Sequence, residues 1–186
     1  MIPLKLAEIA KELDAVLIGR DVTITNVCTD SRQLKANDLF LALKGPNFDG
    51  HKFVPKAVSM CCSALVVEQQ QDVDVPQLVV KDTRIALGQM GAMVKAIVKP
   101  KTIAITGSSG KTTVKEMVAA IMSRLGKVMA TQGNFNNDIG VPLTLLRLEA
   151  DDDYAVVELG ANHIGEIGYT TNLVKPDAAV INNIAA

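Results

Sequence analysis

The sequence predicts an α/β protein, a small first unit followed by a parallel-sheet domain built around a phosphate-binding loop. Three observations carry this. Short apolar, β-branched runs alternate with amphipathic segments, the order that gives parallel strands with helices on both faces. The stretch Ile103-Ala104-Ile105-Thr106-Gly107-Ser108-Ser109-Gly110-Lys111-Thr112-Thr113 has the pattern of a strand, a tight loop and a helix start. Hydrophobic residues make up 48% of the 186, enough for a packed core.

In chain order, Leu6, Ile9, Ala10 and Leu13 fall at helical spacing and predict a helix over 3–13. Residues 22–27 alternate and are β-branched, a strand, and the polar Thr29-Asp30-Ser31-Arg32 follows. A second strand covers 38–43, and 44–51 are rich in turn formers. Residues 52–62 predict a helix with Phe53, Ala57, Val58 and Cys61 inward, then come strands at 64–67 and 78–80 around a surface loop at 69–72. Asp82-Thr83 suits the cap of a helix through 98, stopped by Pro100, and the domain boundary is set at 82/83.

After the phosphate-loop strand, a helix should turn Val114, Met117, Val118, Ile121, Met122 and Leu125 inward. Lys115, Glu116 and Arg124 are expected outside, with Gly126 at its end. A short strand at 128–130, a helix at 143–148 opened by Pro142, a strand at 154–158, a helix at 164–174 and a strand at 178–182 complete the order. Asn183-Ile184-Ala185-Ala186 stand just past a core strand, where a parallel sheet normally continues. The second domain is therefore expected to be truncated.

Composition excludes several classes. Net charge is −1 without a basic run, there is no Trp, and aromatics are 3%, which argues against a nucleic-acid surface. No apolar run approaches the roughly 20 residues that span a bilayer, and the amphipathic start carries Glu8 and no signal-peptide core. Cys28, Cys61 and Cys62 fit neither a disulfide framework nor a zinc site, so a reducing cytoplasm is expected; the sequence does not fix an oligomeric state, and a monomer is the expectation.

The chemistry gathers at strand ends. Gly107 and Gly110 allow close approach of an anion, and Ser108, Ser109, Gly110, Lys111, Thr112 and Thr113 open a helix whose N–H groups and dipole favour phosphate. Lys111 adds a charge for the outer phosphates, and Thr112 a hydroxyl for a nucleotide's Mg2+. The first glycine of the general phosphate loop is replaced by Ile105, leaving a shorter Gly-x-x-Gly-Lys-Thr-Thr; a plain capped glycine turn is the structural alternative. Glu158 ends an apolar strand on the same expected edge and could complete the metal's coordination. His163 follows in a glycine loop, where it could hydrogen-bond a carboxylate or phosphate. Asn134, Asn136 and Asn137 crowd an aperiodic stretch suited to turns or to a polar ligand. In the first unit Ser31, Arg32, Asn47, Asp49 and His51 collect at strand ends, where Arg32 could grip a diphosphate or form a surface ion pair.

Together these runs resemble the Mur ligase superfamily, which as a rule lacks the glycine missing at 105. Thr106 to Thr113 is similar to its short ATP loop and Asn136-Asn137-Asp138-Ile139-Gly140-Val141-Pro142 to its second motif. Asp30-Ser31-Arg32, Asp38 to Gly45 and Asp49-Gly50-His51 resemble its uridine-nucleotide domain. Glu158-Leu159-Gly160-Ala161-Asn162-His163-Ile164-Gly165-Glu166-Ile167 is most similar to the member that adds D-alanyl-D-alanine to UDP-N-acetylmuramoyl-tripeptide.

The resemblance implies a small N-terminal α/β uridine-nucleotide domain, 1–82, and a truncated parallel-sheet P-loop ATPase domain, 83–186. It implies an ATP- and Mg2+-dependent ligase of the cytoplasmic peptidoglycan precursor, working through an acyl phosphate. Lys111, Glu158 and His163 would be catalytic, Thr112 and Glu158 would hold Mg2+, and Gly107 to Thr113 with Asn137 would bind ATP. Ser31, Arg32, Asn47, Asp49, Gly50, His51, Asn134 and Asn136 would meet the substrate. Residues 1–186 alone are expected not to ligate. The alternatives are the tripeptide-forming relative, a folylpolyglutamate synthetase-like enzyme, or a nucleotide-binding module without catalysis.

Overall fold

Strands and helices alternate as the periodicity predicts, and the chain divides inside a helix into two units, Met1–Met90 and one beginning at Gly91. The computed structural model describes residues 1–45 and 47–184; Pro46 of the turn-rich stretch and Ala185-Ala186 lie outside the described residues.

The first unit runs β1 (Leu4–Lys5), α1 (Leu6–Leu13), β2 (Val16–Ile18), β3 (Thr23–Ile24), β4 (Val27–Cys28), β5 (Leu39–Leu41), β6 (Lys44–Gly45) and β7 (Phe48–Asp49). A 3-10 turn (Gly50–Phe53), α2 (Val54–Ser59), β8 (Ala64–Val67) and β9 (Gln77–Val79) follow. Its main sheet has the order β2-β9-β8-β5-β4. β4, β5, β8 and β9 are parallel and β2 is an antiparallel edge. Phe40, Leu65 and Val67 from the sheet pack with Val54 and Ala57 of α2 into one core.

Three local expectations change here. The strand expected at 22–27 breaks in two: Thr23–Ile24 pairs antiparallel with Leu4–Lys5, and Val27–Cys28 pairs parallel with Leu39 and Phe40. The same pairing takes Leu4 and Lys5 out of the first helix. The helix expected at 52–62 is α-helical only over Val54–Ser59. Phe53 is exposed and stacks on Phe48, with ring centroids 5.8 Å apart. Cys61 turns the chain at φ 59 and is exposed, so Cys62 takes the buried place.

α3 (Thr83–Val98) spans the division between the units. Asp82 caps it, its Oδ1 accepting the N–H groups of Arg84 at 2.7 Å and Ile85 at 3.0 Å. The second unit continues with β10 (Lys101–Thr106), α4 (Lys111–Met122), β11 (Val128–Ala130), α5 (Gly140–Leu146), β12 (Tyr154–Glu158), α6 (Glu166–Val174) and β13 (Ala178–Ile181). Its sheet is wholly parallel, in the order β11-β12-β10-β13. Right-handed crossovers in that order put α4 on one face and α5 and α6 on the other. Among the described residues no helix is long and apolar enough to cross a membrane.

α4 is rotated from its expected setting. Met117, Ile121 and Leu125 are exposed, while Lys115 is buried at 2% exposure. The hydrophobic stripe was broad enough to leave the inward direction undecided, and a polar contact of Lys115, described below, fixes it. The residues of β13 are exposed rather than buried.

Candidate functional site

β10 and β12 lie side by side in parallel, with Ile105 opposite Glu158. The chain leaves β10 over one face into α4 and leaves β12 over the other toward α6. The connections part between these strands, the topology that in such a sheet usually forms a ligand crevice at the strands' carboxyl ends.

The loop after β10 lines one side. Gly110 opens α4 at φ 73, a backbone conformation that suits glycine, and a Cβ there would have to displace the Asn182 side-chain amide, 2.6 Å away. Lys111 Nζ donates to the Gly107 carbonyl at 2.7 Å, folding the ammonium back over the loop. The Ser108 N–H donates to Asn183 O at 3.0 Å and the Ser109 N–H to Asn183 Oδ1 at 2.9 Å. The loop amides are thus arranged to receive acceptor oxygens. Thr113 is exposed on the first turn of α4.

Glu158 forms the other side. Its carboxylate is 2% exposed and held at both oxygens: Thr112 Oγ1 donates to Oε2 at 3.0 Å, and Asn136 Nδ2 to Oε1 at 2.8 Å. The Glu158 N–H donates to Thr131 Oγ1 at 2.9 Å. A hydroxyl and a carboxylate are both hard oxygen donors, which suit Mg2+. Among the described residues no group of three or more His, Cys, Asp or Glu could hold a metal. A cation here would share its shell with phosphate oxygens and water, the ordinary way Mg2+ accompanies a nucleotide.

The amide stretch divides its work. Asn136 also accepts the Gly160 N–H at its carbonyl, at 2.6 Å. Asn137 turns its Oδ1 to the N–H groups of Ile139 and Gly140 at 3.3 and 2.7 Å, capping the start of α5. Asn134 is exposed, and its carbonyl accepts the Asn136 N–H at 2.8 Å. His163 is exposed, with Nδ1 3.6 Å from Glu166 Oε2. The buried Glu166 in turn accepts the Asn162 N–H at 2.6 Å.

The first unit's polar residues gather at the carboxyl ends of β4, β5 and β8. Ser31 is buried; Arg32 is exposed and forks onto Asp30, with Nε 2.9 Å from Oδ1 and Nη2 2.8 Å from Oδ2. Hydrogen bonds from the Arg32 side chain, then from its backbone, hold the Asp30 carboxyl down at about 2. Asn47 is exposed on the β6–β7 hairpin. The His51 Nε2 accepts the Glu68 N–H at 2.9 Å, so Nδ1 carries the proton and faces Asp49 Oδ1 at 2.7 Å. That bond lowers the Asp49 carboxyl below its usual range. Both ring nitrogens of His51 are therefore engaged within the unit. Gly50 is buried, and a Cβ would stand 2.6 Å from the Leu43 carbonyl that accepts its N–H.

The structure thus brings Lys111, Thr112, Asn136 and Glu158 to one sheet edge, while Asn137 caps a helix and His163 pairs with Glu166. Three participants escaped the sequence reading: Lys115, Asn182 and Asn183. A lysine four residues after a loop lysine looks like a solvated charge, and paired asparagines after a strand look like a turn.

Comparison with known proteins gives two family matches: the Mur ligase family, catalytic domain, over residues 23–125 and the Mur ligase middle domain over 105–186. The UDP-N-acetylmuramoyl-tripeptide--D-alanyl-D-alanine ligase of Escherichia coli (strain K12) is 52% identical over 186 residues, covering 100% of this chain and 41% of the relative. The ligase of the same name from Haemophilus influenzae is 54% identical over 191 residues, with 100% and 42% covered. The chain spans about two fifths of the length of these relatives. Among solved structures, UDP-N-acetylmuramoylalanyl-D-glutamyl-2,6-diaminopimelate--D-alanyl-D-alanyl ligase from Acinetobacter baumannii superposes with TM-score 0.94 at 46% identity, over 100% of this chain and 42% of that one. MurF ligase from Thermotoga maritima in complex with ADP does so with TM-score 0.77 at 29% identity, over 85% of this chain and 37% of that one.

Proposed function

The chain belongs to the Mur ligase family, and on that premise we propose that the protein is an ATP-dependent amide ligase joining D-alanyl-D-alanine to UDP-N-acetylmuramoyl-tripeptide in the bacterial cytoplasm. The observation that carries this is the Thr112–Glu158 contact across the crevice between β10 and β12, beside a loop whose amides and ammonium favour phosphate. Support comes from relatives named for that reaction and from a family structure that holds ADP.

In the proposed reaction the tripeptide's terminal carboxylate attacks the γ-phosphorus of ATP, giving an acyl phosphate and ADP. The amine of D-alanyl-D-alanine then attacks the acyl carbon, and inorganic phosphate leaves. The protein's part is positioning and charge neutralisation. Lys111 swings from the Gly107 carbonyl to the transferring phosphoryl group. The Ser108 and Ser109 amides exchange Asn183 for phosphate oxygens. Thr112 and Glu158 would hold Mg2+, which when bound neutralises phosphate charge. Asn136 keeps the Glu158 carboxylate turned to the crevice. In the first unit Ser31, Arg32, Asn47 and the Asp49-Gly50-His51 turn would meet the uridine diphosphate, His51 by shaping the turn. His163, Asn134 and Asn137 would border the substrates without joining the Glu158 contacts.

The test is turnover by protein spanning the relatives' full length. Phosphate release should require UDP-N-acetylmuramoyl-tripeptide and D-alanyl-D-alanine together. ATP hydrolysis indifferent to both substrates would replace this reading with a nucleotide-binding module.

A further inference from the structure

The largest side chain that α4 buries is not apolar. Lys115 is 2% exposed, and its Nζ donates to the Thr131 carbonyl at 2.8 Å and pairs with Glu116 Oε1 at 2.7 Å. Taking an ammonium out of water is costly unless it is paired and hydrogen-bonded. A leucine or methionine would fill the same space without that cost, so packing alone does not call for a lysine.

What the ammonium holds gives the reason. Thr131 is itself buried and stands at the root of the amide loop, just after β11. Its N–H donates to the Val156 carbonyl at 3.0 Å, and its hydroxyl accepts the N–H of Glu158 at 2.9 Å. Lys115 closes the remaining polar group, the carbonyl. Five residues on, the same loop supplies Asn136 to Glu158 Oε1. Thr112 and Lys115 are three residues apart on α4 and so share a face. The helix thus reaches Glu158 twice, directly through Thr112 and, one turn later, through Lys115 and Thr131.

We propose that Lys115 is a positioning residue for Glu158: its buried ammonium pins Thr131 so that the carboxylate keeps the orientation that a magnesium-bound nucleotide needs. This rests on the ligase reading above. Groups that orient a metal's ligands change metal affinity by about 10- to 100-fold when removed. A merely structural lysine would weaken nucleotide binding with and without the metal alike.

The test is calorimetric titration with ADP, with and without Mg2+, of protein spanning the relatives' full length, as the wild type, Lys115→Met, Thr131→Val and the double variant. Lys115→Met should weaken ADP binding about tenfold in Mg2+ and leave metal-free binding unchanged. Thr131→Val should do the same, and the double variant should be no worse than the weaker single, because both act through one chain of contacts. Equal weakening with and without Mg2+, or no weakening, overturns the proposal. Should Lys115→Met fail to fold by circular dichroism, Thr131→Val decides by the same comparison. A wild type that binds no ADP overturns the ligase reading itself; a wild type that binds beside an unaffected Lys115→Met overturns only the role of Lys115.

Discussion

The two units present polar residues at the carboxyl ends of parallel strands, but they wire them differently. In the first unit the side-chain pairs of the candidate site are local, Arg32 with Asp30 and His51 with Asp49, each two residues apart, although outside them Lys44 reaches Glu68 at 3.4 Å. In the second the contacts around Glu158 cross the fold, Thr112 with Glu158, Asn136 with Glu158 and Lys115 with Thr131, beside local pairs such as His163 with Glu166. A local pair forms wherever its loop goes. A long-range pair exists only while β10, β11 and β12 hold their register. A change in the second unit should therefore act on the reaction through geometry, and a change in the first on substrate affinity through single contacts.

The largest effect should come from Lys111→Ala. On the proposed reading this ammonium meets the charge that develops on the phosphoryl group, and its loss should cost at least about 100-fold in kcat. The described bond of its Nζ is to the Gly107 carbonyl, within its own loop, so the unfolding midpoint should hold. Phosphate-release kinetics beside a thermal melt would check both. Retained turnover would break the comparison, leaving the second unit's network as architecture without catalysis.

A smaller effect separates the units. Arg32→Ala should raise KM for the UDP-linked substrate about tenfold, the worth of one charge-assisted contact, with kcat unchanged. Steady-state kinetics at saturating ATP would show the split. If KM does not move, Arg32 serves only its exposed bond to Asp30, and such pairs contribute little.

How far the sequence could be read follows the same division. The strand, loop and helix start around residues 107–111, the Asp82 cap and the strand ending at Glu158 are local patterns, and each fell where its letters put it. The broken strand at 22–27 was not legible, because its halves answer to partners far away in the chain, Leu4–Lys5 and Leu39–Leu41. The setting of α4 was missed for a related reason. Its apolar positions cover a wide arc, and the face that turns inward carries Lys115, whose partner, the Thr131 carbonyl, lies sixteen residues on. Asn183 escaped because its partners, Ser108 and Ser109, lie three crossovers earlier in the chain.

The smallest effect tests the local wiring in isolation. The Asp30 carboxyl sits at about 2 because Arg32 bonds its ionised form, against about 3.9 in an unfolded chain. With the folded value the lower one, the pair's contribution to stability is full above about 4 and disappears as pH falls through about 2. Asp30→Asn should therefore lower the unfolding midpoint slightly at pH 6, and the two proteins should converge by pH 2. The pair is exposed, so solvent screening keeps the difference small. Thermal melts at pH 6, 4 and 2 would measure it. A difference that persists at pH 2 would mean that the asparagine disturbs the strand end itself, and the pair would then belong with the second unit's kind of contact, tied to the sheet rather than to its own loop.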